Sequence, residues 1–314
     1  MPPLTVALTG GTGFVGGALA RRLSENGCKL RLLVRRPSSV EQFRPVDAEV
    51  IQGSLSDRDS LTQLLEGADW VVHAAGAIKA VDAREFAEVN RDGAARVSEV
   101  AAVAGVKGFI LVSSLAARSP LISAYAASKR MGEMEVLSRL PHAVVLRPPV
   151  IYGPGDRETL PIFRAARRGY FLIPGPPESR LSFIHVDDFA AVVGAIIARA
   201  TSLSGVYEAD DGTAGGYSWS EVADALAAAV GRTIRQIAIP RPLLRLAGIV
   251  ALTTARVTGK PLMLRPDKIN ELRHPDWVCR DSRLAEATGW HARFSLLEGF
   301  RDAAAWYRMR GLLR

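Results

Sequence analysis

The sequence LTVALTGGTGFVGG, residues 4–17, joins an apolar strand to a helix through a glycine-rich turn. Residues 4–9 are apolar or small, as in a strand buried on both faces of a parallel sheet. The turn and the start of the helix supply Gly10, Gly13, Phe14, Val15 and Gly16. Glycines at such a turn let a dinucleotide pyrophosphate reach the backbone N–H groups at the helix N-terminus. We therefore predict that these five residues bind a dinucleotide; the alternative is an ordinary glycine-rich turn.

The composition indicates a globular protein. With 314 residues, 48% of them hydrophobic, the chain can bury a large core. Its cysteines, Cys28 and Cys279, lack C-x-x-C spacing, which indicates a reducing compartment and no disulfide framework. The histidines are scattered, so the sequence predicts no metal site. The first strand begins by residue 4 and leaves no room for a signal peptide, so we expect a cytoplasmic protein.

The formal net charge of +8 is spread along the chain and forms no long basic run. We therefore expect no nucleic-acid partner, because such partners select clustered basic residues. The apolar stretch Leu246–Leu252, between Arg245 and Arg256, is much shorter than the roughly 20 residues that a membrane span needs. The sequence thus predicts no membrane span, and it favours a core or lid helix there over a helix lying on a membrane surface.

The residues after the second predicted strand, Lys29–Val34, distinguish between two dinucleotides. In folds that bind NAD, an Asp or Glu about 20 residues beyond the glycines holds the adenosine ribose. Arg35 and Arg36 occupy that place here, followed by Ser38 and Ser39. A guanidinium can hold a 2′-phosphate through two hydrogen bonds, whereas a carboxylate would repel it. We therefore predict NADP as the cofactor, with NAD as the alternative.

The next segments continue the alternation of strands and helices. Residues 48–53 form a predicted strand, and Asp57 is placed to cap the helix that ends near Gly67. A strand predicted over Trp70–Ala77 ends in small residues, which are Ala74, Ala75 and Gly76. Small residues at the carboxyl edge of a central strand allow a cofactor to lie across the sheet. The alternation predicts an α/β fold with a doubly wound parallel sheet.

A tyrosine and a lysine four residues apart lie in the helix predicted over residues 124–137. Tyr125 and Lys129 therefore project from one face of that helix. The strand predicted over residues 109–112 precedes them and ends at Ser113 and Ser114. Tyr125 can exchange a proton with a substrate oxygen if the Lys129 ammonium and the positive nicotinamide ring lower the pKa of the phenol, and the Ser114 hydroxyl can orient that oxygen. Such a pair alone is more typical of a helix surface, so the prediction depends on the order of the motifs.

The order of glycine turn, serine-ending strand and Tyr-x-x-x-Lys resembles the short-chain dehydrogenase/reductase superfamily over nearly the whole chain. Two later segments, VVLRPPVIYGPGD at 144–156 and FIHVDDFA at 183–190, are similar to hallmarks of its extended branch, the NAD-dependent epimerase/dehydratase-like proteins. The resemblance implies a Rossmann fold with Ser114, Tyr125 and Lys129 as catalytic residues. It also implies further cofactor contacts, which we assign to Ser54, Leu55, Lys129, Pro148 and Val150.

In that branch a smaller C-terminal substrate lobe is interleaved with the dinucleotide-binding domain. We expect the Rossmann domain at residues 1–150, with returns near 182–210, and a discontinuous substrate lobe at 151–181 and 211–314. Within the apolar stretch 240–260, the candidates for lining a pocket or lid are Leu243, Leu244, Ile249 and Leu252, although packing is the default role of such residues. For Arg147 and Asp187 we expect a role as buried structural charges.

Three positions depart from the sugar-nucleotide enzymes of the branch. Residues 148–153, PPVIYG, lack the Asn that contacts the nucleotide sugar in those enzymes. Leu181 stands where they carry an Arg for the diphosphate, and Arg180 is one residue away, on the other face of a strand. Ser54 replaces an Asp near the adenine. The chain therefore looks more like the branch's carbonyl reductases and hydroxysteroid-type dehydrogenases, which resemble dihydroflavonol reductases, and an apolar lining at Val150 and Leu181 suits an uncharged substrate.

We expect an NADPH-linked oxidoreductase that interconverts a ketone and a secondary alcohol on a small, mainly apolar substrate. The first alternative is a nucleotide-sugar epimerase or dehydratase with tightly held NAD, in which Arg180 and Arg273 would bind the diphosphate. The second is a non-catalytic dinucleotide-binding sensor or assembly subunit. The tendency of the superfamily to dimerise through two helices of the dinucleotide domain implies a homodimer. The identity of the substrate and the direction of the reaction stay open.

Overall fold

A parallel sheet of seven strands forms the centre of the computed structural model, which describes residues 3–36, 47–199, 203–259 and 263–313. The strands of the described residues, including those outside this sheet, are β1 (Thr5–Thr9), β2 (Lys29–Val34), β3 (Ala48–Gln52), β4 (Trp70–His73), β5 (Gly108–Val112), β6 (Val144–Arg147), β7 (Val150–Tyr152), β8 (Tyr170–Ile173), β9 (Arg180–Leu181), β10 (Phe183–His185), β11 (Gly205–Glu208), β12 (Tyr217–Ser218), β13 (Arg235–Ala238) and β14 (Asp276–Trp277). The sheet has the order β3-β2-β1-β4-β5-β6-β11, and all its neighbouring pairs are parallel. This arrangement confirms the predicted doubly wound α/β fold.

Helices connect the strands and cover both faces of the sheet. They are α1 (Phe14–Glu25), α2 (Arg58–Leu65), α3 (Ala83–Phe86), α4 (Gly93–Ala104), α5 (Ala124–Arg139), α6 (Leu160–Arg167), α7 (Val186–Ala198), α8 (Trp219–Val230), α9 (Arg241–Thr258), α10 (Pro266–Leu272), α11 (Arg283–Thr288) and α12 (Leu296–Met309). A π-helical turn at Ala87–Asp92 joins α3 to α4, and two 3₁₀ turns, Leu115–Arg118 and Pro120–Ile122, lead from β5 to α5.

Alternate residues of each strand pack on opposite faces of the sheet. Val6 and Leu8 of β1 share one apolar core with Leu19 of α1 and Phe189 of α7. Ala7 lies between them in sequence and belongs to a second core, which the sheet forms with α2, α4 and α5. A central strand such as β5 is apolar and buried along its whole length because both faces of the sheet are covered in this way.

A third apolar core joins helices that are far apart in the chain. Phe163 of α6, Leu226 of α8 and Phe300 of α12 pack together in it. Short strand pairs connect this region: β7 pairs with β10, β8 with β13, and β9 with both β12 and β14. Helices α8 and α12 of this region each begin with a capping box, which Ser218 forms with Glu221 and Ser295 forms with Glu298.

The expectation that Asp187 is a buried structural charge is wrong. The Asp187 side chain is 43% exposed and lies 3.8 Å from Arg21. The neighbouring Asp188 is buried, and its carboxylate accepts hydrogen bonds from the backbone N–H groups of Arg293 and Phe294. Consecutive residues of a helix point about 100° apart, so only one of the two aspartates faces the core.

Helix α9 packs through one narrow face. Its buried residues are Leu244, Gly248 and Ala255, whereas Leu243 and Ile249 are exposed. The predicted apolar stretch ran on to Lys260, which lies outside the described residues. Among the helices of the described ranges, none combines the length and apolar character needed to cross a bilayer.

Tyr307 offers a test of how α12 is held. Its side chain is fully buried, and its hydroxyl donates to the Asp156 carbonyl at 2.6 Å. Tyr307→Phe leaves that buried carbonyl without its donor, so we expect the free energy of unfolding to fall by about 1–3 kcal/mol. Urea denaturation followed by circular dichroism measures the change. Tyr170→Phe, the same change at a half-buried tyrosine, is the matched control, and equal effects of the two changes would contradict this role.

Candidate active site

Two adjoining cavities lie at the carboxyl edge of the sheet, where the strand order reverses between β1 and β4. The larger measures about 720 Å³ and begins at the glycine turn, and the smaller measures about 370 Å³. Both are lined by Ala74, Gly76, Ala77, Ile78 and Glu158. The cavities therefore form one groove at the position where open α/β sheets bind ligands.

The glycine turn brings the N-terminus of α1 to the larger cavity. Gly10 has a φ of 75°, and a Cβ there would lie 2.6 Å from the Ala75 nitrogen. Gly13 is the N-cap of α1 and makes no side-chain cap hydrogen bond, so the N–H groups of the first turn can serve an anion. A Cβ on Gly16 would lie 2.0 Å from the Gly10 carbonyl oxygen, so Gly16 packs the helix on the turn. This donor set fits a dinucleotide pyrophosphate.

The predicted cofactor residues divide between the two cavities. Gly10, Gly13, Arg35, Ser54, Leu55 and Ala75 line the larger cavity, Phe14, Val15, Lys129, Pro148 and Val150 line the smaller, and Ala74 and Gly76 line both. Gly16 and Arg36 are absent from both linings. Ser38 and Ser39 lie outside the described residues. The structure thus brings one of the two predicted arginines to the end of the groove.

Ser114, Tyr125 and Lys129 meet at the smaller cavity. Ser114 follows β5 in an extended conformation, and its side chain caps the first 3₁₀ turn by accepting from the Ala116 N–H. Ser123 caps α5, which sets the start of the helix that carries the tyrosine and the lysine. The three predicted groups therefore line one wall, although they come from two elements.

A buried carboxylate anchors α5 on the sheet. Glu133 of α5 is fully buried and accepts two hydrogen bonds from Arg147 of β6, at 2.8 and 2.5 Å. The Ser113 hydroxyl at the end of β5 donates to it at 2.6 Å, and Arg130 donates at 3.1 Å. Such a buried charge is tolerated because its oxygens are paired. Lys129 is one helical turn away, so this pairing fixes its height above the sheet.

The pKa values of the phenol and the ammonium are set mainly by burial. Burial raises the pKa of Tyr125 to about 12, and a hydrogen bond with the Ser114 side chain partly opposes this. Burial lowers the pKa of Lys129 to about 8. The Lys129 ammonium donates to the Val112 carbonyl at 2.7 Å. In the protein alone burial therefore sets the direction of the Tyr125 pKa shift, and the lowering expected from Lys129 together with a bound nicotinamide stays a prediction.

Asn90 is a polar residue of the site that the sequence argument passed over. Its amide oxygen accepts from the Ala77 N–H at 2.8 Å, and its amide nitrogen donates to the Ala77 carbonyl at 3.0 Å and to Ser128 of α5 at 2.9 Å. The π-helical turn bulges the chain here, and Gly132 allows the close approach, since a Cβ there would lie 2.2 Å from the Asn90 carbonyl oxygen. Asn90 thus ties the loop after β4 to α5; a lone Asn between apolar helix positions is the only local signal of this.

Thr9 and His73 stabilise the loop that follows β4. The Thr9 hydroxyl lies 2.7 Å from His73 Nδ1 and accepts from the Ala75 N–H at 3.2 Å. Burial lowers the pKa of His73 to about 3, and the nearby Lys129 adds to this effect. His73 is therefore neutral at physiological pH and acts as a packing and hydrogen-bonding group. In the described ranges, no three His, Cys, Asp or Glu side chains cluster as metal ligands.

The far wall of the smaller cavity is mainly apolar. Val150 and Leu181 line it as expected, together with Trp219, Leu272 and Trp277. Its charged residues include Lys268 and Glu271 of α10. The candidates Leu243, Leu244, Ile249 and Leu252 of α9 are absent from this lining, and α9 packs against α10 through Gly248.

The two arginines of the sugar-nucleotide alternative are engaged elsewhere. Arg180 donates to the carbonyl oxygens of Gly215 and Gly216, at 2.5 and 2.6 Å. Arg273 donates to the Pro174 carbonyl at 2.9 Å. Neither arginine lines the smaller cavity. The described side chains therefore offer no arginine for a diphosphate there.

Comparison with known proteins places the chain in a family. The model of the "NAD dependent epimerase/dehydratase family" matches residues 6–208. A ceramide reductase of Caulobacter vibrioides is 41% identical over 308 residues, which cover 98% of this chain and 96% of that protein. A 2-alkyl-3-oxoalkanoate reductase of Stenotrophomonas maltophilia is 26% identical over 212 residues, 60% of this chain and 63% of the relative.

Solved structures show the same fold. The UDP-glucose 4-epimerase from Bifidobacterium longum, in complex with NAD⁺ and UDP, superposes with a TM-score of 0.73 at 19% identity, and the match covers 98% of this chain and 99% of that chain. At that identity the likeness concerns the fold alone. The family match and the near full-length reductase relative agree with the groove and its glycine turn. The chain belongs to the NAD-dependent epimerase/dehydratase family of extended short-chain dehydrogenases/reductases and is an enzyme that uses a nicotinamide dinucleotide.

Proposed function

We propose that this protein is an NADPH-linked reductase that converts a ketone to a secondary alcohol on a mainly apolar substrate. The observation that carries the proposal is the meeting of Ser114, Tyr125 and Lys129 where a glycine-turn cavity joins an apolar one. The interleaved substrate lobe, residues 151–181 and 211–314, belongs to the same proposal. Its support is the separate apolar core formed by α6, α8 and α12.

A nicotinamide dinucleotide bound in the groove supplies the hydride. The Tyr125 hydroxyl donates a proton to the substrate oxygen, and the Ser114 hydroxyl donates a hydrogen bond to the same atom. With a pKa of about 12, the phenol stays protonated at neutral pH, and this is the form that a reduction needs. Lys129 faces the same cavity and would hold the ribose hydroxyls next to the nicotinamide. Asn90 positions this wall through its bonds to Ala77 and Ser128.

Arg35 supports NADPH over NADH. It lines the larger cavity together with Ser54. A guanidinium at that place can bind the 2′-phosphate through two hydrogen bonds. Ser54 and Leu55 would then contact the adenine end.

The substrate class follows from the lining of the smaller cavity and from the relative. An apolar wall favours an apolar substrate because its burial removes hydrocarbon surface from water. The ceramide reductase of Caulobacter vibrioides covers nearly the whole chain, which supports a lipid of the ceramide type for this protein. The secondary alcohol of such a lipid corresponds to a ketone next to a carbon that bears an acylated nitrogen. The engagement of Arg180 and Arg273 with backbone carbonyls disfavours a sugar nucleotide.

Tyr125→Phe tests the acid role. We expect turnover with NADPH and an apolar ketone to fall at least about 100-fold, since a positioned general acid contributes roughly 10²–10⁴-fold. Affinity for NADPH should change less than about twofold, which is far below the tenfold that 1.4 kcal/mol represents. Steady-state kinetics and calorimetric titration measure the two quantities, with Tyr170→Phe as the control. Retained turnover would remove Tyr125 from this role.

Arg35→Glu tests the cofactor preference. Reversing the charge at the cavity should lower the ratio of NADPH to NADH affinity at least about tenfold, equivalent to 1.4 kcal/mol. Arg36→Glu is the matched control, because it makes the same charge change outside the cavity lining. Equal effects of the two changes would mean that long-range charge sets the preference. Tighter binding of NADH by the unaltered protein would contradict the proposal for NADP.

A further inference from the structure

Glu271 is a buried carboxylate in the apolar part of the smaller cavity. Its side chain is only 7% exposed, and it lines the cavity beside Leu272 and Trp277. One carboxylate oxygen, Oε2, pairs with Lys268 of the same helix. The other, Oε1, is buried and has no hydrogen-bond partner among the described residues. Buried acceptors are nearly always satisfied in folded proteins, so this oxygen lacks a donor that a bound molecule could supply.

The position of the pair relates that missing donor to the reacting group. The Lys268 ammonium lies 5.3 Å from the centroid of the Tyr125 ring and also contacts Glu271. The carboxylate of Glu271 is also near enough for its charge to raise the pKa of Tyr125, the proposed proton donor. Because Lys268 already balances the charge of the carboxylate, a neutral donor suits the site better than a cation.

We infer that Glu271 accepts a hydrogen bond from an amide N–H or hydroxyl that the apolar substrate carries near its ketone. The inference rests on the proposed reductase function and narrows its substrate class. A site built to bond a substrate donor rejects the analogue that lacks it, because the buried acceptor is then left unpaired. Glu271 is thus a specificity-determining residue, and a plain aliphatic ketone is a poorer substrate than an N-acyl amino ketone.

A matched pair of substrates tests this role. An N-acyl amino ketone and its N-methylated amide differ in one donor, and we expect kcat/KM of the unaltered enzyme to be at least tenfold higher for the first. Glu271→Leu should remove that preference by lowering kcat/KM for the N–H substrate, and Glu271→Gln, which keeps a carbonyl acceptor, should retain part of it. Glu178→Gln, at an exposed glutamate, is the control. Thermal unfolding verifies that each variant is folded.

The outcomes separate this inference from the proposed function. If the unaltered enzyme reduces both ketones equally well, and Glu271→Leu changes neither rate, the reductase function stands and the role of Glu271 is overturned. If neither ketone is reduced with NADPH, the proposed function fails and takes the inference with it.

The outer face of α9 is a separate feature with its own consequence. Its exposed apolar side chains, each more than half accessible to water, are Leu243, Leu246, Ile249, Val250 and Val257. The helix contains no acidic residue and three arginines, which are Arg241, Arg245 and Arg256. At 3.6 residues per turn, the arginines fall along the side between the buried face and the exposed apolar face.

The buried face of α9 rests on the helix that walls the cavity. A Cβ on Gly248 would lie 2.8 Å from the Ile269 side chain of α10, so the two helices are in close contact. The exposed apolar face therefore belongs to a helix that packs against α10, which carries Glu271. Apolar side chains flanked by cations are the pattern of a helix that lies in the headgroup region of an anionic membrane.

We propose that α9 docks on the surface of a membrane that contains anionic lipids. Its apolar face enters the boundary of the hydrocarbon region, and the arginines contact lipid phosphates at the level of the headgroups. Docking there brings α10, which lines the cavity, close to the membrane surface. The proposal is independent of Glu271 because it depends on the exposed face alone.

Vesicle sedimentation tests the docking. The unaltered protein should bind vesicles of equimolar phosphatidylglycerol and phosphatidylcholine and bind pure phosphatidylcholine vesicles at least tenfold more weakly. The double variant Leu246→Glu, Val250→Glu should lose this binding, whereas Val103→Glu, at an exposed apolar residue of α4, should keep it. Light scattering reports the oligomeric state of each protein. Absence of vesicle binding would overturn the proposal, as would a dimer that the double variant converts to a monomer, since a second copy would then cover this face.

Discussion

The bonding of Glu133 is the constraint on which the arrangement of the site depends. Arg147 from β6 and Ser113 from β5 both donate to this buried carboxylate of α5, so one side chain joins a helix to two central strands. Ser114 follows Ser113 directly, and Lys129 precedes Glu133 by one turn. The distance between Ser114 and Tyr125 is thus set by the ion pair of Glu133 and Arg147, which contacts neither of them. Removal of Glu133 would leave the largely buried Arg147 without this carboxylate, and removal of Arg147 would leave the carboxylate with only Arg130 and Ser113; breaking a buried pair is far more costly than the pair itself is stabilising.

Local signals in the sequence were sufficient for the frame of the fold. Strand β2 begins and ends at the predicted residues, Lys29 and Val34, and Asp57 caps α2 through its side chain as predicted. These features depend on neighbours within a few residues. The glycine turn is equally local, and it was decisive because the strand before it and the helix after it are both apolar.

The features that escaped prediction depend on contacts between distant segments. Asn90 acquires its role from Ala77 and Ser128, which lie 13 and 38 residues away, and no periodicity marks a π-helical turn. The direction in which the pKa of Tyr125 shifts could be predicted only from the burial of its side chain, because the spacing to Lys129 is equally compatible with an exposed pair. Glu271 is 146 positions beyond Tyr125, so only the folded chain brings its carboxylate to the cavity. The spacing of the motifs in the sequence therefore predicted the reacting groups, but it did not predict the side chains that surround them.

The bond from Tyr307 to Asp156 has a consequence for the order in which the molecule is made. The two residues are 151 positions apart, and Asp156 lines the smaller cavity. The hydrogen bonds to the buried Asp188 carboxylate likewise require the backbone of residues 293 and 294. During synthesis the parallel sheet can assemble around β1 to β6 well before α12 leaves the ribosome, but the wall beside Asp156 cannot close until it does. Contacts of such long sequence separation form late because they close large loops. A nascent chain therefore lacks the apolar wall of the cavity, which includes Trp219 and Trp277, until the remaining half of the protein has been translated.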